Sequence, residues 1–199
     1  MVQCDAGSTS RMVDADCGVH LMVEDATAET SSYGTSVKAK FSVLAATDPG
    51  QVGKSITEFF QCEGKAVDKL YNLAEAVGIV TPEQRKAAAA QGVGMDIDET
   101  AFKGKQLCGQ IKMEANMRKN PVTGAYEEDP EKPGPYPRLG FRTFSVHDKK
   151  AEGIPKDQQF FALVPKPGKP GEPPAASSPA PNPNPPQPPA GGSGLSMNW

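Results

Sequence analysis

The chain has 199 residues, of which 23% are charged, and a formal net charge of −3. That length allows one domain with appendages, and the acidic total excludes a polycation. No stretch approaches the ~20 apolar residues of a membrane span.

The charge is uneven. Residues 1–36 carry one basic and six acidic groups, whereas residues 103–150 carry ten basic and six acidic groups. A face built from the second segment would attract a polyanion in spite of the acidic total. The four cysteines, Cys4, Cys17, Cys62 and Cys108, form no CxxC pair, and only His20 and His147 accompany them. No zinc site is expected. The start of the chain has no basic residues followed by an apolar run, so no secretory leader is expected either. The reading is a reduced, cytoplasmic protein with free thiols.

In chain order, residues 1–18 are polar and rich in Gly, Ser and Asp, and are expected to form a flexible arm. From Gly18 to Thr30, Val19, Leu21 and Val23 alternate with His20, Met22 and Glu24, the pattern of a half-buried strand. A turn cluster containing Tyr33 follows. A second strand places Val37, Ala39, Phe41, Val43 and Ala45 on one face and Lys38, Lys40 and Ser42 on the other. These two strands read as a hairpin. Asp48-Pro49-Gly50 makes a turn and Lys54 to Gln61 a third strand. Val67, Leu70, Tyr71, Ala74 and Val77 keep helical spacing up to Gly78. Thr81, Pro82 and Gln84 open a second helix with a capping box. Lys105 to Arg118 reads as one long strand, residues 120–137 as a Gly/Pro/acidic loop, and Arg138 to His147 as the last strand. Residues 156–164 are expected to add a short apolar strap.

Three strands, one or two helices and two more strands give a mainly β class. That is the order of an OB-fold, a five-stranded barrel with its helix between strands three and four. The domain is expected over residues 19–164, and a different small α+β sheet is the alternative. Residues 165–199 are almost all Pro, Gly, Ala, Ser or Asn. Such a stretch cannot offset its ordering entropy and is expected to be a disordered spacer.

No catalytic constellation is visible: GxSxG, HExxH, GxGxxG and a complete P-loop are all missing. Asp48 to Ser55 ends in Gly-Lys-Ser, but Asp48 stands where a phosphate loop needs its first glycine. A non-enzyme without a cofactor is expected. His20 and His147 have no evident partner and are expected at surface or edge positions. Binding a nucleic-acid strand needs cations for phosphates and flat rings for bases. The candidates are Lys38, Lys40 and Lys54 on the early strands, Lys105, Lys112, Arg118 and Lys119 on the fourth, and Arg138 and Arg142 on the fifth. Phe141 and Phe144 interleave with the last two, one of them necessarily core, while Tyr33 stands in the first hairpin loop and Tyr136 in the loop between the last two strands.

The run GTSVKAKFSVLAATDPGQVGKSITEFF, the KAVDKLYNLAEAVGI helix and FKGKQLCGQIKME resemble small phage-encoded proteins of unknown function found beside recombination genes. The shared features fall at Gly50–Lys54, Leu70–Gly78 and Gly104–Lys105, and the resemblance covers residues 18–148. It implies an OB-like fold acting on single-stranded DNA in replication or recombination, in a bacterial or phage-infected cell. The tail resembles that of single-stranded DNA-binding proteins, which carry a disordered linker and a partner-docking aromatic tip. Leu195, Met197 and Trp199 would be that tip, although the acidic residues usual beside it are missing from GGSGLSMNW. A replication or recombination protein would be the partner. A protein-interaction adaptor working through the Pro-rich tail is the alternative function.

Overall fold

The computed structural model of the chain describes residues 12–31, 34–120 and 122–166. Two long strands, β1 (Cys17–Ser31) and β2 (Gly34–Ala46), form the expected hairpin. Alternation turns Val19, Leu21 and Val23 inward with Val37, Ala39, Phe41 and Val43, all of them buried. Next, the Asp48 carboxylate accepts the Gly50 N–H at 2.9 Å, which closes a tight turn. Gly53, at φ +80°, swings the chain into β3 (Ser55–Gln61). The Gly-Lys-Ser run is therefore a connection between two antiparallel strands.

Two helices follow. The first, α1 (Val67–Ala76), buries Leu70, Leu73, Ala74 and Ala76. The second, α2 (Pro82–Gln91), has the expected capping box, with Gln84 N–H on Thr81 Oγ1 at 3.2 Å and Thr81 N–H on Gln84 Oε1 at 2.8 Å. It ends at Gly92 in the left-handed conformation, and none of its own residues is buried. Polar anchoring replaces core packing here: Arg85 reaches Asp68 at 2.7 Å and Asn72 at 2.9 Å, both on α1.

After the helices, the expected long fourth strand breaks at Asn116 into β4 (Gln106–Ala115) and β5 (Met117–Lys119). β5 turns away to pair with β6 (Tyr126–Glu128) inside what the sequence presents as loop. The chain returns as β7 (Pro135–Phe144) and later forms one turn of helix, α3 (Gln158–Phe161). The described residues thus hold three helices, not one or two, because Asp157 caps α3 through the Gln159 and Phe160 N–H groups. Among the described residues, no helix is long and apolar enough to cross a membrane.

The main sheet is antiparallel, in the order β3-β2-β1-β4-β7. It does not close into the expected barrel, since β3 and β7 are edges with no ladder between them. The β7 edge explains this. Alternate residues of a strand aim their backbone groups to the same side. Leu139 N–H points away from β4, to the Glu58 carboxylate on β3 at 2.9 Å. The residues in phase with it are Pro137 and Pro135, which have no N–H to offer. A continuous β3–β7 ladder therefore lacks its donors.

The core lies between one face of the sheet and α1, and takes in Phe41, Phe60, Phe102, Leu107, Ile111 and Leu139. It also includes Val13, whose N–H bonds to the Ser55 carbonyl at 3.2 Å, so the N-terminal arm is anchored before residue 18. A second apolar cluster covers the opposite face at one end: Cys108, Val146, Ala151 and Ile154, with Phe144, Phe161 and Val164 against it. His20 lies beneath this layer with no exposure. The expectation of a surface position fails because residues far along the chain cover what alternation marks as the outer face.

Candidate nucleic-acid interface

The expected binding residues separate into three groups. Lys38 and Lys40 stand on the outer face of β2, but each meets a carboxylate from β1. Lys38 Nζ is 2.9 Å from Glu29 and Lys40 Nζ 2.6 Å from Glu24. Lys38 Nζ also lies 5.8 Å from the centroid of Phe59, a ring 43% exposed on β3. Phe59 is absent from the sequence-based set. Its signal is the alternation of β3, which turns Ile56, Glu58 and Phe60 inward and Phe59 outward.

In a second group, Lys54 and Arg118 meet carboxylates of neighbouring segments. Lys54 donates to Asp14 at 2.8 Å and to Gln51 at 3.3 Å, and this bond holds the Asp14 carboxyl below the usual carboxylate range. Lys54 thus ties the N-terminal segment to the turn before β3. Arg118, on β5, faces Asp129 at 3.5 Å and Glu131 at 3.6 Å. Lys119 follows it on the same short strand. Phe144 packs into the second apolar cluster, so it is not a free stacking ring.

The third group comes together on β4 and β7. Lys112 and Arg138 are direct cross-strand partners, and Glu114 is partnered with Tyr136 one step along. The Arg138 guanidinium lies over the Tyr136 ring, 5.2 Å from its centroid. On the other side of the Lys112–Arg138 pair, toward the start of β4, the register breaks: Gly109 pairs with Thr143 and Ile111 with Leu139. Gln110 is therefore left opposite three residues, Gly140, Phe141 and Arg142. A Cβ at Gly140 would stand 3.2 Å from the Gln110 carbonyl oxygen, so this crossing favours glycine. The bulge turns Phe141, 54% exposed, and Arg142 out to solvent. Among the described residues, neither Lys112 nor Arg142 makes an ion pair, while Arg138 lies 3.5 Å from Glu58. Lys105 is exposed just before β4, seven residues and roughly 24 Å along the strand from Lys112.

A cationic and aromatic strip runs along β4 and β7: Lys112, Arg138 and Tyr136, with the carboxylate of Glu114 opposite the tyrosine, and then Phe141 and Arg142 further along β7. A groove of about 370 Å³ opens beside Tyr136, walled by Pro133, Pro135, Pro137 and Met113. Chemically, the strip offers point charges for phosphate oxygens and rings for planar groups. Tyr33 and the tail tip of Leu195, Met197 and Trp199 lie outside the described residues. Comparison with protein-family models and with curated proteins finds no match.

Proposed function

We propose that this chain is a non-enzymatic, sequence-tolerant single-stranded DNA-binding protein of phage-type replication or recombination, built on an OB-like domain. The observation that carries the reading is the β4–β7 strip, where Arg138 sits over Tyr136 with Lys112 beside it. Alternating cations and rings suit a strand whose phosphates and bases alternate, and each stacked base would contribute about 1–3 kcal/mol. The order β3-β2-β1-β4-β7 supports the OB-like reading, since an OB barrel has this order with its last seam laddered.

The test is fluorescence anisotropy with labelled oligo-dT at low and moderate salt. Binding is expected at low salt and should weaken steeply as salt rises. The Arg138→Ala and Lys112→Ala substitutions should each lower the salt slope by about 0.7, the value for one phosphate contact on a single strand. Failure of the wild-type protein to bind at low salt would sink the proposal.

A further inference from the structure

The sequence contains two histidines, His20 and His147, and both hold the segment that follows β7. His20 is wholly buried on β1. Its Nδ1 receives the Asp157 backbone N–H at 3.2 Å, which requires that nitrogen to carry no proton. The ring proton therefore sits on Nε2, which donates to Gln106 Oε1 at 3.0 Å. Gln106 Nε2 donates in turn to the Phe160 carbonyl at 2.9 Å. His147 Nε2 donates to the Val164 carbonyl at 3.0 Å, and its ring packs on Phe161 with centroids 4.9 Å apart. Beneath these bonds lie Cys108, Val146, Ala151 and Ile154.

We propose that residues 153–164 are a strap latched by neutral His20 and released by acidification, which uncovers the apolar outer face around Cys108 and Phe144. A second proton on His20 goes to Nδ1, where it faces the Asp157 N–H, so two donors oppose each other and the latch bond is lost. The same event places a cation in an apolar layer. His147 donates to its carbonyl and, among the described residues, accepts no N–H from the strap, so the acceptor role that a proton abolishes belongs to His20. The charged groups facing His20 are Asp157, which favours the cation, and Lys156, which opposes it. Lys156 Nζ is held by the Ala151 and Ile154 carbonyls at 2.7 and 3.2 Å. On β4 the partner of His20 is Cys108, a thiol that burial pushes up to about 11 and so keeps neutral. On β2 the partner is Ala45, which carries no charge.

Burial lowers the His20 pKa from its ordinary 6.5, against the opposing pull of Gln106 and Asp157. With the closed-state value below the open-state value, the latch is intact above pH 6.5 and weakens as pH falls below it. The open-to-closed ratio then rises by up to tenfold for each pH unit, down to the closed-state pKa.

The experiment is hydrogen exchange read by mass spectrometry on the full chain between pH 7.5 and 4.5, corrected for intrinsic exchange rates. Protection of residues 153–164 should fall by up to tenfold per unit below pH 6.5, while β2 and β3 keep theirs. In His20→Asn the amide oxygen takes the place of Nδ1 and still accepts the Asp157 N–H but does not titrate, so the pH dependence should vanish. Unchanged wild-type protection down to pH 4.5, parallel loss from β2, or the same fall in His20→Asn would each overturn the proposal. Should that variant not fold, nuclear magnetic resonance on the wild type decides: the His20 ring and the Asp157 amide must titrate with one midpoint below 6.5. An Asp157 amide unmoved through the His20 titration refutes the latch.

Discussion

Glu58 on β3 accepts the backbone N–H of Leu139 on β7 at 2.9 Å, so a side chain makes the link that a ladder would make between the two sheet edges. The carboxylate is 4% exposed and is balanced by Lys69 at 3.3 Å and Arg138 at 3.5 Å. One residue thus joins both edges of the sheet to α1 and to the cationic strip.

Removing that carboxylate leaves a buried N–H and a half-buried ammonium without their partner. Glu58→Ala is expected to cost about 3 kcal/mol of stability, the scale for breaking a buried ion pair from one side. Glu58→Gln keeps an acceptor for Leu139 and should cost less, about 1–2 kcal/mol. Urea unfolding followed by circular dichroism measures both. An alanine variant within about 0.5 kcal/mol of wild type, the range of ordinary surface substitutions, would show that the link does not matter.

The prolines of β7 give a separate expectation. Pro135 is exposed and Pro137 buried, and both lack the N–H that would point outward from this edge. Proline on an edge strand blocks pairing with other chains. Pro135→Thr restores one outward donor without touching the core. It should make the protein self-associate as concentration rises, seen as a shift of the sedimentation coefficient in ultracentrifugation. A variant that stays at the wild-type value across a hundredfold concentration range would argue that the edge is guarded in some other way.

Much of this was readable from pattern alone. The hairpin and the capping box of α2 depend on neighbours within a few residues, and period-two alternation and the Thr81–Gln84 spacing carry them directly. What escaped depends on distance along the chain. His20 reads as outward-facing because its cover arrives with Asp157, 137 residues later. Lys38 and Lys40 read as free because their partners, Glu29 and Glu24, depend on the β1–β2 register, which shifts between Val23 and Asp25. The choice between Phe141 and Phe144 turns on the bulge at Gly140, which breaks the alternation that would otherwise settle it. Among the candidate cations, sequence supplies the residue types, and only the register shows that Lys112 and Arg138 are neighbours.

Gly109 offers a test of packing on the core side of the sheet. A Cβ there would stand 2.9 Å from Leu139 Cδ1, closer than real contacts allow, and Leu139 is 1% exposed. Gly109→Ala should cost about 1–3 kcal/mol through overpacking. Combining it with Leu139→Val removes the clashing methyl, so the double variant should lose less than the sum of the two singles. A coupling energy near zero in that cycle would mean that the strain is relieved by backbone movement and not by Leu139.

The ion pairs on β2 turn the proposed function into a question about the strand's path. Glu24 and Glu29 now occupy Lys40 and Lys38 at 2.6 and 2.9 Å, on an exposed face next to Phe59. Surface pairs of this kind contribute about 0–1 kcal/mol to stability, so a Glu24→Gln and Glu29→Gln double variant should fold normally. It removes two negative charges and frees two ammonium groups. If bound DNA crosses β2 on its way to the β4–β7 strip, oligo-dT affinity at low salt should rise severalfold. The salt slope should then steepen by up to about 1.4, two contacts at the single-strand value. If the strand keeps to β4 and β7, the freed lysines meet no phosphate and the slope stays at the wild-type value. A steeper slope would place Lys38 and Lys40 in the interface with Arg138, whereas an unchanged one would confine the interface to the strip.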